Sequence, residues 1–174
     1  RKVRRDRHLD GCDGQTFRFS LYQLTEALGP ATRLTAEYSL QGSTLRFVGA
    51  PSFQAVSGRT VRHSLWDEAA EAAMGHIELA RWAELVLVAP ATANTLARLA
   101  HGLADDLVST LCLATTAPIV VAPAMNHRMW LHPATQTNLA ILQARGVRVV
   151  GPDEGPLAEG ESGPGRLREP DAIV

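Results

Sequence analysis

Three short blocks concentrate the residue types that do chemistry. The first is Pro90-Ala91-Thr92-Ala93-Asn94-Thr95, which sets hydroxyls and an amide among small residues directly after an aliphatic run. Small side chains let a backbone approach a ligand closely. Unpaired N–H groups at a helix start, with Thr and Asn side chains, can hold polar ligand atoms. The same residue types also make an ordinary helix cap. The second block, Pro123-Ala124-Met125-Asn126-His127-Arg128-Met129-Trp130, joins a soft apolar wall of Met and Trp to Asn126. An amide offers both a donor and an acceptor, which suits a carboxylate or an amide ligand. A hydrophobic loop anchored in the core or at a subunit contact would use the same composition. The third block, Gly75-His76-Ile77-Glu78-Leu79-Ala80-Arg81-Trp82, carries His76 just ahead of a helical pattern, where a structural role competes with a catalytic one.

Other chemistries find no support. His127 and His132 lack the spacing of a helical zinc motif, and Cys112 has no CxxC mate. There is no GxSxG elbow, P-loop or GxGxxG. Gly160 to Gly165 has the glycine content of a phosphate loop, but no helical pattern follows it.

These blocks must be positioned by regular elements. Leu85-Val86-Leu87-Val88-Ala89 and Ile119-Val120-Val121-Ala122 are continuous apolar runs ended by Pro90 and Pro123. Such runs predict strands buried on both faces. Val147 to Val150 predicts a third strand. Between them, helices are expected over 77–83, from Thr92 or Asn94 to Ala104, over 107–114, and from Thr135 to Ala144, with Gly146 as the last one's stop. Asp67 is placed to cap a further helix over 68–74. Alternating strands and helices imply a parallel sheet with helices on both faces, and ligands at the carboxyl ends of its strands. The segment 151–166 is dense in glycine and proline and reads as a long loose loop, either a lid or a plain tail. Residues 1–46 follow no clear pattern beyond strand-like alternation at 17–22 and two further strands expected within 34–47, around a turn at 41–43.

Composition sets outer bounds. The 174 residues suffice for one domain with a real core, and 45% apolar with 20% charged content is ordinary for a globular protein. A net charge of −1 gives no bulk attraction to nucleic acid or an acidic membrane. No apolar run is long enough to span a bilayer. The basic start Arg1-Lys2-Val3-Arg4-Arg5 lacks the apolar core of a secretory signal. Two cysteines make no disulfide framework; Cys112, inside Leu111-Cys112-Leu113-Ala114, reads as a buried small hydrophobe, and a cytoplasmic location is expected.

Together and in this order, the three blocks resemble the signature segments of the homo-oligomeric flavin-containing cysteine decarboxylases. Within that family, Ser52-Phe53-Gln54-Ala55-Val56-Ser57-Gly58, Asp105-Asp106-Leu107-Val108-Ser109-Thr110 and Gly163-Pro164-Gly165-Arg166 resemble the bacterial phosphopantothenoylcysteine decarboxylase domain. The likeness runs from about Phe47 to Val174. It implies a Rossmann-like three-layer α/β fold with a parallel sheet, of flavoprotein type, with an atypical N-terminal part. Residues 1–46 would be an unmatched segment and 47–174 the decarboxylase domain.

The resemblance also implies roles. Thr92, Ala93, Asn94, Thr95 and Ala124 would contact flavin mononucleotide (FMN). His76 would be the catalytic histidine, Asn126 would hold the substrate carboxylate, and Met129 and Arg81 would lie nearby. The glycine-rich segment after Val150 would cover the substrate. The reaction would be decarboxylation of 4′-phospho-N-pantothenoylcysteine to 4′-phosphopantetheine in coenzyme A biosynthesis. No metal is implied. Family members form trimers and often dodecamers, and this domain is usually fused to a downstream phosphopantothenate–cysteine ligase.

Two departures bear on these expectations. The family's glycine-rich phosphate-binding start has no counterpart in residues 1–46, which predicts weak flavin retention. Glu159 stands where the family flap carries a proton-donating cysteine; a neutral, buried Glu159 would serve as that donor, whereas a solvent-facing one would not. Two rivals follow: a peptidyl-cysteine oxidative decarboxylase that stops at the enethiol, and a flavin-free regulatory or inactive relative.

Overall fold

The computed structural model describes residues 75–157 and 160–173, with Pro51 and Ala55. The elements expected at 17–22, 34–47 and 68–74, and the 52–58 segment apart from Ala55, lie outside the described residues.

The chain alternates as the apolar runs require. Helix α1 (His76–Trp82) leads into strand β1 (Val86–Ala91), helices α2 (Ala93–His101) and α3 (Leu107–Ala114), then strand β2 (Ile119–Pro123). Helices α4 (His127–Leu131) and α5 (Pro133–Ala144) lead to strand β3 (Arg148–Val149). The three strands form one sheet in the order β1-β2-β3, with both pairings parallel. Val86, Leu87 and Val88 face Ile119, Val120 and Val121; Val121 in turn pairs with Val149.

Side chains alternate across a strand, so Val86, Val88, Ile119, Val121 and Val149 share one sheet face. That face meets two apolar clusters. Leu79 and Ala80 of α1 and Leu111 and Cys112 of α3 close over Val86. Leu96 and Ala100 of α2 and Leu142 of α5 close over Ala91 and Val121. Leu96 and Val121 are fully buried, which makes them the pins between α2 and the sheet.

Pro90 does not stop β1 as the sequence suggested. The strand runs on to Ala91, through a cis Ala89–Pro90 bond, and its register shifts between Val88 and Ala91 before pairing resumes at Ala91 and Pro123. Proline lacks a ladder donor and is tolerated at such an irregularity.

Helix limits follow local chemistry. His76 is the first residue of α1 rather than a residue ahead of it. Thr92, not Asn94, caps α2, its Oγ1 accepting from the Thr95 amide at 3.2 Å. The helix ends at Gly102, short of Ala104, because Gly102 takes φ 68°, a conformation that glycine adopts freely. Asp106 and Ser109 form a reciprocal capping box on α3: Ser109 N donates to Asp106 Oδ1 at 2.8 Å, and Asp106 N donates to Ser109 Oγ at 3.3 Å. Helix α5 starts at Pro133, ahead of the expected Thr135, because proline's fixed φ fits a first helical position.

The segment expected to be a loose loop is a folded hairpin. Strands β4 (Asp153–Pro156) and β5 (Ser162–Arg166) pair antiparallel. Leu157 is buried at the turn, its amide donating to the Glu161 carbonyl at 2.8 Å. Glycine and proline content pointed to a loose loop, but here the glycines serve close backbone packing.

Candidate active site

The carboxyl ends of β1 and β2 carry the two polar blocks, and a backbone bond joins them. Ala124 N donates to the carbonyl of Ala91 at 3.1 Å. The loop that opens α2 and the loop that opens α4 thus lie side by side. On the first, Thr92 and Asn94 are exposed, Ala93 and Thr95 are half-buried, and the two threonine hydroxyls lie 3.0 Å apart. First-turn amides of a helix precede its own hydrogen-bond ladder, so this edge offers N–H and O–H groups on a floor of small residues. Ala91 and Ala124 are both buried and form that floor. A flat aromatic ligand with polar edges fits such a surface. The donor set therefore suits FMN.

On the second loop, Asn126 caps α4, its Oδ1 accepting from the Arg128 amide at 2.8 Å. That bond fixes the amide plane, leaving the orientation of its NH2 group set by the cap. Met129 is half exposed, as is Leu131, so α4 turns an apolar surface outward next to Asn126.

The hairpin closes on this loop from the other side. Met125 N donates to the Gly165 carbonyl at 2.9 Å. A Cβ on Gly165 would sit 2.1 Å from the Met125 carbonyl oxygen, and Gly165 has φ 145°, so only glycine permits this approach. Two residues earlier on the same strand, a Cβ at Gly163 would meet the Cβ of His127 at 3.2 Å. Glu161 completes the contact: its Oε2 lies 3.1 Å from His127 Nδ1 and its Oε1 3.4 Å from Arg128 Nη2.

His76 and Arg81 sit on α1, at its first residue and in its last turn. The described packing of that helix is against α3 and the start of β1. The structure thus brings Thr92–Thr95, Ala124, Asn126 and Met129 into one neighbourhood and places His76 and Arg81 on a separate element. Glu159 lies outside the described residues.

Sequence reasoning gave His127 and Glu161 no role in this site and did not foresee that Gly163 and Gly165 pack on the Asn126 loop. The alternate glycines of Gly163-Pro164-Gly165 were the available signal, since glycines so spaced on a strand allow another segment to approach closely. Cys112 is buried in the core under Val86, where burial, then the charge of Asp106, pushes its thiol up to about 12. It is an inert core residue. Among the described residues, no group of His, Cys, Asp and Glu is clustered for metal binding, and no helix is long and apolar enough to cross a membrane.

A parallel sheet whose strand-end loops converge on a small-residue floor defines an α/β cofactor-binding protein. The Flavoprotein family profile matches residues 30–174, and the chain belongs to that family. Among known proteins, the coenzyme A biosynthesis bifunctional protein CoaBC of Escherichia coli strain K12 is 58% identical over 128 residues, which cover 74% of this chain and 32% of that protein. The CoaBC protein of Haemophilus influenzae is 46% identical over 162 residues, covering 92% of this chain and 40% of that protein. This chain thus spans well under half the length of these relatives. Among solved structures, a PPC decarboxylase variant complexed with pantothenoylaminoethenethiol superposes with a TM-score of 0.73 at 31% identity, covering 88% of this chain and 87% of that one. The FMN-dependent cysteine decarboxylase SpaF superposes with a TM-score of 0.70 at 29% identity, covering 90% of this chain and 88% of that one.

Proposed function

We propose that this chain catalyses the FMN-dependent decarboxylation of 4′-phospho-N-pantothenoylcysteine to 4′-phosphopantetheine, a step of coenzyme A biosynthesis. The observation that carries this reading is the seating of the Asn126 loop between two partners, bonded to the Thr92 side through Ala124 and Ala91 and to the hairpin through Met125 and Gly165.

In this reading Thr92, Ala93, Asn94, Thr95 and Ala124 hold FMN. Bound FMN supplies a two-electron oxidation of the cysteinyl side chain and the return of those electrons, which makes loss of carbon dioxide possible. The protein's part is to bind and orient. The NH2 group of Asn126 holds the substrate carboxylate, with its plane set by the Arg128 bond. Met129 lines the adjacent apolar wall, and Arg81 adds positive charge near the substrate. His76 manages the proton of the substrate thiol. The hairpin excludes water above the reacting carbons, and Glu159 holds the sequence position at which the resemblance implies a proton donor.

The partners in this reading are further copies of the chain, as a trimer or dodecamer, and a phosphopantothenate–cysteine ligase domain fused downstream. The location is cytoplasmic. A second reading is favoured by one residue. With Glu159 in place of a thiol donor, the reaction would stop at the enethiol, as in a peptidyl-cysteine oxidative decarboxylase.

The test is turnover of the FMN-loaded chain with phosphopantothenoylcysteine and, separately, with a peptide ending in cysteine. Release of carbon dioxide from the first substrate alone is expected. Turnover of the peptide alone would replace the first reading with the second. No carbon dioxide from either would remove both.

A further inference from the structure

The hairpin touches the Asn126 loop at three successive points. Gly165 accepts from Met125, one residue before Asn126. Gly163 lies against the His127 side chain, one residue after it. Glu161 reaches both His127 and Arg128. Glu161 directly precedes β5, and Gly163 and Gly165 lie within it, so one short stretch of chain grips both flanks of the candidate carboxylate-binding residue.

Within this grip the contacts differ in strength. Arg128 is 78% exposed, so its contact with Glu161 is screened by solvent. His127 is 21% exposed, and its Nδ1 is buried with no hydrogen-bond partner among the described residues. Glu161, 3.1 Å away, is the polar group that faces it, at ion-pair distance but without hydrogen-bond alignment. A buried ring nitrogen left without a polar neighbour is costly, so removing Glu161 penalises the docked arrangement directly. The backbone bond between Met125 and Gly165 carries no sequence information. The Glu161–His127 contact does, because side chains make it.

We propose that Glu161 is a positioning residue that clamps the hairpin onto His127 and thereby sets the orientation of Asn126 toward the substrate carboxylate. Glu161 acts through His127 and does not itself touch the reacting atoms. The proposal rests on the decarboxylase reading for its effect on substrate, but not for the clamp. Without the clamp, the hairpin and the first turn of α4 separate, and Asn126 samples orientations that do not hold the carboxylate. The loss falls on substrate binding first.

The test uses the full chain loaded with FMN, as wild type, Glu161→Ala, Glu161→Gln, His127→Gln and the double variant Glu161→Gln with His127→Gln. Glu161→Gln keeps side-chain size and guards against misfolding. Amide hydrogen exchange is followed over 153–166 and 125–131, with 107–114 as an internal control. KM and kcat for phosphopantothenoylcysteine are measured in parallel. Glu161→Ala is expected to speed exchange in both contacting segments by roughly tenfold, leave α3 unchanged, and raise KM by roughly tenfold with a smaller fall in kcat. The double variant is expected to be no worse than either single variant, because the two side chains act as one contact. Unchanged exchange in 153–166 and 125–131, or additive effects in the double variant, would overturn the clamp. Faster exchange in a protein that does not turn over this substrate would support the clamp and count only against the decarboxylase reading.

Discussion

The amide of Ala124 donates to the carbonyl of Ala91 at 3.1 Å, and this one bond sets the second strand-end loop beside the first. Both alanines are buried. The hydroxyls of Thr92 and Thr95 and the cap at Asn126 thereby belong to one surface, although the chain separates them by α2, α3 and β2.

Thr92 and Asp106 cap successive helices, which gives a matched control for the cofactor role. Replacing either with Ala removes an N-cap and should cost about 1–2 kcal/mol of stability. Only Thr92→Ala is expected to weaken flavin retention as well. Thermal unfolding with and without added FMN, and flavin absorbance after gel filtration, check this. Equal flavin loss in both variants would mean that Thr92 acts only as a cap.

Asn126→Asp places a negative charge where a substrate carboxylate is expected. Two such charges at ~4 Å repel by ~4 kcal/mol at an effective dielectric of ~20, enough to abolish turnover. Its Oδ oxygen can still accept from Arg128 N, so the fold and the flavin should be retained. His76→Asn should also abolish carbon dioxide release with flavin bound. Wild-type rates in either variant would remove that residue from the site.

Gly165→Ala brings a methyl group into the Met125 carbonyl and asks alanine to take φ 145°. The hairpin cannot dock without a shift, so a loss of about 1–3 kcal/mol is expected. Limited proteolysis should cut the 153–166 segment faster than in the wild type. Gly102→Ala, also at positive φ but with open space around its Cβ, should destabilise without exposing the hairpin.

Cys112 gives a pH dependence with a fixed sign. Its thiol, raised to about 12 by burial and then by Asp106, keeps its proton in the folded chain. An unfolded chain loses it near ~8.5. The contribution to stability is therefore complete below ~8.5 and declines as pH rises toward about 12, by about 1.4 kcal/mol per unit. Wild type minus Cys112→Ala stability, measured by urea unfolding from pH 8 to 11, isolates that slope. Iodoacetamide at pH 8 should label Cys112 only after unfolding, as mapped by peptide mass.

Glu159 sets the last expectation. An unperturbed glutamate is ionised near neutral pH and donates no proton. Under anaerobic conditions the wild type is expected to release carbon dioxide but reduce the enethiol poorly, so that it stalls with reduced flavin after one turnover. Glu159→Cys should complete the reduction. Product mass decides; a saturated amine thiol from the Glu159 protein would refute the stall.

The sequence by itself determined the strand and helix order from His76 to Val149, because continuous apolar runs such as Val86 to Val88 and Ile119 to Val121 have no stable exposed alternative. It also marked Thr92 to Thr95 and Asn126 as the polar residues at strand ends, since parallel sheets present their ligands there. What it misjudged was local. Pro90 stays within β1 because a shift in register absorbs its missing donor. The glycine-rich segment from Gly151 to Arg166 forms a hairpin because Gly163 and Gly165 let a strand lie directly on His127 and Met125. Neither outcome is set by the residues nearest in sequence. The contact between Glu161 and His127 spans 34 positions of chain, and composition carries no information about such a distance. Only the packed tertiary structure, which fixes β5 against α4, decided which acid meets which base.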